Sequence, residues 1–170
     1  MKINTKTLTL MAMLLVICIV SRQVLSGIGS VQPVSVIIFI FGLVYGSSYG
    51  ILLGAMCGLM TNLFLGFGTW VIFQMIGWGL IGFIGGLMLR KDLINRLIVL
   101  FSLGFVYGAI TNLDWFLFYT QGKSLQAYLA ICVMGLPYDM IHAINNVIWF
   151  LLMSKFMIKW ITNYKENNII

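Results

Sequence analysis

The amino-acid sequence predicts an all-α integral membrane protein, a single domain over residues 1–170 built as a bundle of six transmembrane helices. Hydrophobic residues make up 61% of the chain and charged residues 8%, against about 45–50% and about 25% in soluble domains. The mean hydropathy is +1.05, and the apolar residues fall into six runs. A chain of this composition would aggregate in water, which excludes soluble enzymes, disordered proteins and nucleic-acid binders.

The six apolar runs predict helices separated by turns rich in Gly, Ser, Asn and charged residues. The predicted spans are 7–25, 33–45, 49–65, 70–89, 97–119 and 129–160. At about 20 residues a span, they use about 120 residues and leave no room for a soluble domain. Pro33 fits a first helical turn, whereas Pro137 predicts that the last helix starts or kinks there.

The N-terminus resembles a secretory signal but lacks a small-residue cleavage site, so we expect a retained first helix. An even number of spans puts both termini on one side. Eight cations then share that side, against Arg22 and Lys123 on the other, and the positive-inside rule makes the termini cytoplasmic. The eight are Lys2, Lys6, Arg90, Lys91, Arg96, Lys155, Lys159 and Lys165.

Several chemistries are missing from the sequence. Cys18, Cys57 and Cys132 each lie in an apolar run without a CxxC or His partner, so neither a disulfide framework nor a metal site is expected. No GxxxxGK[ST] phosphate loop occurs, and no HExxH or GxSxG motif. We therefore expect no enzyme activity and no cofactor in this chain.

Polar residues concentrate at the outer ends of the predicted helices. They are Arg22, Gln32, Asn62, Gln74, Asn112, Asp114, Asp139 and His142. The inner halves offer little beyond Gly, Ser, Thr and Tyr. This asymmetry favours an outward-facing binding pocket over a channel, which would carry polar residues through its full depth.

The sixth helix carries Asp139, His142 and Asn146 at spacings of three and four, which puts them on one helical face that Trp149 continues. Ionisable groups within spans usually face the bundle interior or a water-filled cavity. Two interpretations remain open. The three side chains contact or orient a ligand, or Asp139 and His142 are structural groups that satisfy each other or cap a kinked helix.

Two further clusters are candidate ligand contacts. Trp70, Gln74 and Trp78 lie four apart, and two indoles with an amide between them suit a planar ligand, although Trp70 is equally well explained as an interfacial anchor. Asn112, Asp114 and Trp115 end the fifth helix. Arg22 lies at a similar depth, where it could pair with Asp114, meet a charged ligand group or reach the interface.

A ladder of small residues marks packing seams between helices. It comprises Gly42, Gly46, Gly50, Gly54 and Gly58, joined by Gly82 and Gly86. The same smooth faces could dock a membrane partner.

Taken together, these motifs resemble the substrate-specific S component of an energy-coupling factor (ECF) vitamin transporter. The likeness rests on Gln32-Pro33, on the block over 62–82 with Gln74 and Trp78, and on the block over 135–146 with Asp139, His142 and Asn146. These blocks are most similar to the subgroup linked to cobalamin or precursors such as α-ribazole.

The resemblance implies a subunit of a prokaryotic cell membrane that binds a water-soluble vitamin at its outer face. A transmembrane coupling protein and two ATPases would energise uptake. The family's docking contact is Ala-xxx-Ala in the first helix, whereas Ala12 is followed here by Val16. Two alternatives are a self-contained proton-coupled carrier that uses Asp114, Asp139 and His142, and an intramembrane enzyme that uses the two aspartates.

Overall fold

The computed structural model describes residues 4–167 and is all-α, as predicted. Its helices are α1 (Thr5–Leu25), α2 (Val34–Tyr45), α3 (Ser47–Leu65), α4 (Trp70–Leu87), α5 (Leu93–Asp114) and α6 (Leu125–Glu166). A 3-10 turn, Ser26–Ile28, extends α1, and a π-helical turn, Trp115–Tyr119, extends α5.

Side-chain caps start three of the helices a few residues before the apolar runs begin. Asn4 accepts from the Thr7 amide at 2.7 Å, and Ser124 Oγ accepts from the Ala127 amide at 3.1 Å. Asp92 Oδ1 accepts from the Asn95 amide in the same way. Such caps satisfy backbone N–H groups that the first helical turn leaves free. This explains why α1, α5 and α6 begin before residues 7, 97 and 129.

Of the two alternatives for Pro137, a start of the last helix is wrong, because α6 runs as one helix of 42 residues with Pro137 inside it. A proline removes one backbone N–H and one hydrogen bond. The helix is held on both sides of this gap: Tyr128 Oη donates to the Ala109 carbonyl at 2.9 Å, and Asn146 Nδ2 donates to the Leu100 carbonyl at 3.1 Å.

Helix α2 forms the centre of the bundle. Every residue from Val34 to Val44 is buried, so the helix is surrounded by the others. At 1.5 Å per residue its 12 residues span about 18 Å, less than the roughly 30 Å of a hydrocarbon core. The other five helices are long and apolar enough to cross a membrane.

Glycines bring α2, α3 and α4 into backbone contact. A Cβ on Gly82 would collide with the Gly50 backbone, and one on Gly42 with the Gly82 carbonyl. A Cβ on Gly86 would strike Ser47. The predicted packing seam is therefore inside the bundle. Gly82 is buried there, which corrects its assignment as a partner-docking residue, and Gly86 packs inward against Ser47.

The two ends of the described chain lie at the same end of the bundle. Tyr164 Oη donates to the Lys6 carbonyl at 3.0 Å, and Lys165 Nζ donates to the Val44 carbonyl at 2.7 Å. We call this the basal end. The ends of α1 and α3 and the start of α4 lie at the opposite, apical end. The side of the membrane that each end faces stays a prediction from the charge count.

Candidate ligand-binding site

An arginine at the apical end of α1 is tied to neutral side chains on two other helices. Arg22 Nη1 donates to Thr61 Oγ1, and Arg22 Nη2 donates to Gln74 Oε1 at 3.1 Å. Thr61 in turn donates to the Cys57 carbonyl. The suggested pairing of Arg22 with Asp114 does not form, because the guanidinium is directed to α3 and α4.

The Gln74 amide is oriented by two donors that converge on its oxygen. Besides Arg22, Asn62 Nδ2 donates to Gln74 Oε1 at 2.7 Å. Asn62 is held by its own bond to the Gly58 carbonyl, and Trp70 Nε1 donates to Asn62 Oδ1 at 3.3 Å. Because the oxygen of an amide accepts and its nitrogen donates, this arrangement leaves Gln74 Nε2 to donate to something else.

One helical turn deeper, Trp78 links this cluster to α2 and α6. The Arg22 guanidinium carbon lies 4.8 Å from the Trp78 ring centroid, a cation–π contact. Trp78 Nε1 donates to Ser35 Oγ at 3.2 Å, and Ser35 Oγ lies 2.9 Å from His142 Nε2. Tyr107 of α5 packs against both the Trp78 ring, at 5.3 Å, and the His142 ring, at 4.9 Å.

A cavity of about 360 Å³ opens above this network at the apical end. Its lining includes Arg22, Gln74, Tyr107 and Tyr138. The end of α1, the segment after it and the end of α3 complete the lining with Leu25, Ser26, Gly29, Ser30, Val31, Gln32 and Leu65. Arg22 supplies the formal charge among these lining residues. The cavity volume lies in the range of small-molecule sites, which combine apolar walls with a few placed polar groups.

A separate polar cluster lies between α5 and α6. A Cβ on Gly108 would collide with the Asp139 carboxylate, and one on Gly135 would meet the Asn112 amide at 3.0 Å. Asp139 is therefore packed against α5, while His142 bonds to Ser35 of α2. The structural alternative in which Asp139 and His142 satisfy each other is wrong, because they face different helices.

The other predicted residues lie outside the cavity lining. Asn146 is fully buried, and it bonds to α5 through its amide nitrogen. Asp114 is 6% exposed and its Oδ1 has no hydrogen-bond partner among the described residues. Trp115 is exposed and stacks on Tyr119 at 5.2 Å, and Ala12 is exposed on α1.

Several residues of the site were missed by the sequence reasoning. Tyr107 and Tyr138 line the cavity, and Ser35 joins Trp78 to His142. A hydroxyl in an otherwise apolar helix was an available signal for Ser35. The segment over 26–30 is predicted only as a turn, and no sequence pattern indicates that Ser26, Gly29 and Ser30 line the cavity. Gln32, predicted among the polar residues of the outer ends, lines it as well.

The arrangement offers hydrogen-bond donors and aromatic rings to a ligand. Arg22 has donors to spare, since a guanidinium carries five N–H groups and two are used within the network. Such a site recognises a ligand that presents hydrogen-bond acceptors and a flat apolar surface.

Comparison with known proteins gives one family. The profile described as "ECF-type riboflavin transporter, S component" matches residues 2–159. No curated protein and no solved structure gives a significant match to the chain. The match supports the resemblance to ECF S components but not the cobalamin subgroup, because the family description names riboflavin. With a match over nearly its whole length, the chain belongs to the ECF-type riboflavin transporter S component family.

Proposed function

We propose that this protein captures riboflavin in the apical cavity, as the substrate-specific subunit of an ECF importer. The observation that carries the proposal is the Arg22–Gln74 pair, which faces the cavity of a chain whose family is named for riboflavin. A separate coupling protein and two ATPases would supply the energy. The protein itself would bind and release the vitamin without catalysis.

The chemistry of riboflavin suits the polar wall of the cavity. Its isoalloxazine ring presents carbonyl oxygens and ring nitrogens that accept hydrogen bonds. Gln74 Nε2 is free to donate because two donors hold Oε1, and Arg22, which lines the same cavity, has unused N–H groups. A charged donor strengthens a hydrogen bond to such an acceptor roughly twofold.

The remaining walls suit the rest of the vitamin. Tyr138 is exposed at the rim and Tyr107 lies deeper, so a flat ring between them would gain aromatic contact. Ser26, Ser30 and Gln32 line the same cavity, and their polar side chains match the hydroxyl groups of the ribityl chain.

The cobalamin preference inferred from the motifs gains no support from the family match, which points to riboflavin. The cavity also favours the smaller vitamin. Its volume of about 360 Å³ lies near the lower end of the range for ligand sites, about 300–1,000 Å³, and a corrinoid would extend far beyond it. α-Ribazole would fit by size but lacks the carbonyl oxygens to which Arg22 and Gln74 would donate hydrogen bonds.

In this proposal the apical end faces the outside of a prokaryotic cell and the basal end faces the cytoplasm. The support is the charge count, since Lys6, Arg96 and Lys165 lie toward the basal end and Arg22 lies at the apical end. The exposed face of α1 around Ala12 is the proposed docking surface for the coupling protein.

Titration of the purified protein with riboflavin tests the proposal, with binding measured as quenching of the vitamin's fluorescence. Gln74→Glu keeps an acceptor for Arg22 and Asn62 but removes the Nε2 donor and adds a carboxylate beside the flavin carbonyls. Loss of a hydrogen bond in such a site costs about 1–3 kcal/mol, so we expect Kd to rise by about tenfold or more.

The matched control is Gln23→Glu, because Gln23 is exposed on α1 and lies outside the apical cavity. It should bind as the unchanged protein does. Equal binding by both variants would reject the Gln74 contact. Absence of riboflavin binding, with tight binding of cobalamin or α-ribazole, would reject the flavin assignment and return the ligand to the cobalamin group.

A further inference from the structure

A second cavity, of about 340 Å³, lies at the basal end and shares no lining residue with the apical cavity. We call it the basal cavity. It lies between the ends of four helices, and its lining residues are Leu43, Val44, Leu89, Arg96, Ile158, Thr162, Lys165 and Glu166.

Two cations are fixed on the wall of the basal cavity by backbone carbonyls. Arg96 donates from Nε to the Met88 carbonyl at 3.2 Å and from Nη2 to the Leu89 carbonyl at 2.9 Å. Lys165 Nζ donates to the Val44 carbonyl and lies 5.2 Å from the Tyr45 ring centroid. These carbonyls end α2 and α4, where helices leave acceptors without intrahelical partners.

The fixed cations keep donors for a ligand. A guanidinium has five N–H groups and an ammonium has three. Backbone carbonyls accept from two N–H groups of Arg96 and from one of Lys165. Arg96 and Lys165 against Glu166 leave an excess of positive charge in the lining. Arg90 and Lys91, exposed in the turn before α5, add to it.

The rest of the lining is apolar. Leu43, Val44, Leu89 and Ile158 supply hydrocarbon surface beside the two cations. A free phosphate ion would gain nothing from this surface, whereas an amphiphile would bury a chain on it and gain about 25 cal/mol per Å² of apolar area. Basic pockets between transmembrane helices on the cytoplasmic side suit acidic lipid headgroups.

We propose that the basal cavity binds one anionic phospholipid, with the headgroup phosphate on Arg96 and Lys165 and an acyl chain along Leu43, Leu89 and Ile158. The proposal does not depend on which vitamin the apical cavity holds. It makes the lipid a specific ligand of the basal end of the bundle.

Native mass spectrometry tests this site. The full-length protein is mixed in detergent with phosphatidylglycerol or with phosphatidylcholine that carries the same acyl chains, and the lipid retained after release from detergent is measured. We expect one phosphatidylglycerol to be retained at least tenfold more than phosphatidylcholine. The double variant Arg96→Gln/Lys165→Gln should reduce that preference to none. Lys155→Gln/Lys159→Gln removes the same charge from exposed positions outside the cavity and should preserve it.

Thr162→Trp provides an independent test, because it fills the basal cavity without removing a cation or a bond to a carbonyl. It should abolish retention of the lipid, so it still tests the site if the Arg96 and Lys165 double variant fails to fold. Equal loss in the Lys155 and Lys159 control, or retention unchanged by Thr162→Trp, would overturn the proposal. Full displacement of the lipid by millimolar inorganic phosphate would overturn it in favour of a free-anion site.

Discussion

Arg22 has hydrogen bonds and an aromatic contact but no carboxylate partner in the described structure. Its hydrogen bonds go to Thr61 and Gln74, and its guanidinium carbon lies over the Trp78 ring. A guanidinium makes two bonds in fixed relative directions, which the compact ammonium of a lysine cannot reproduce. The geometry of this residue, and not its charge alone, therefore holds α1, α3 and α4 together around the cavity.

Arg22→Lys should weaken riboflavin binding by about tenfold or more, because it keeps the charge and loses the two-directional contact. The fluorescence titration measures this change. Arg90→Lys, an exposed position at the basal end, is the matched control and should leave Kd unaltered. Full binding by Arg22→Lys would show that charge alone suffices.

Ser35→Ala should lower the free energy of unfolding by about 1–3 kcal/mol, since it leaves the buried Trp78 and His142 nitrogens without their partner. Thermal denaturation in detergent measures the loss. Ser102→Ala is the control, because the exposed Ser102 bonds only to the Ile98 carbonyl of its own helix. Equal melting temperatures for the two variants would contradict the role of Ser35.

At the scale of the elements, the glycine seam decides how closely the central helices approach. The spacing of four correctly predicted the glycine faces of α3 and α4, because small residues four apart share a helical face. Gly46, which the ladder included, lies instead in the turn between α2 and α3, where a Cβ would meet nothing within 4 Å. Which helices meet across the seam could not be predicted, since the contact between Gly82 and Gly50 joins positions 32 residues apart.

Gly82→Ala should destabilise the protein by about 1–3 kcal/mol, because the new Cβ would overlap the Gly50 backbone. Gly79→Ala, in the same helix, is the matched control. A Cβ at Gly79 meets nothing nearer than 3.8 Å, and alanine favours a helix over glycine by up to about 1 kcal/mol. Melting temperatures that fall equally for both would refute the seam.

The helix boundaries show what hydropathy misses. The caps Asn4, Asp92 and Ser124 start α1, α5 and α6 outside the apolar runs. Pro137 lies inside a continuous helix, because contacts from the rest of α6 outweigh one lost hydrogen bond. The sequence predicted each helix, but the capping hydrogen bonds and the contacts around Pro137 determine where the helices begin and end.

At the scale of the whole molecule, polarity is divided between two ends. The even number of predicted spans puts both ends of the chain on one side, and the structure brings Lys6, Lys165 and Tyr164 together at the basal end. The side of the membrane that this end faces stays a prediction from the charge count. Arg22, Asn62, Gln74, Trp70, Trp78 and His142 were predicted as ligand contacts, and the structure joins them into one network. That they bind a ligand stays a prediction. The part that Tyr107, Tyr138 and the turn over 26–30 play in the cavity required tertiary structure, because they reach the cavity from distant parts of the chain.

The sidedness of the membrane can be measured with a membrane-impermeant thiol reagent on intact cells. In a variant without native cysteines, Lys123→Cys should react, because it lies in the turn between α5 and α6 at the apical end. Lys91→Cys, in the turn at the basal end, should react only after the cells are opened. The reverse pattern would place the vitamin cavity on the cytoplasmic side and contradict capture from outside.

The central claim is that the apical cavity selects a flavin. The most direct measurement is native mass spectrometry of the purified protein after exposure to an equimolar pool of riboflavin, cobalamin, α-ribazole, folate, thiamin, biotin and pantothenate. The account predicts one retained mass, that of riboflavin, lost in Gln74→Glu and kept in Gln23→Glu. Retention of another vitamin, or of none by a folded sample, would contradict it.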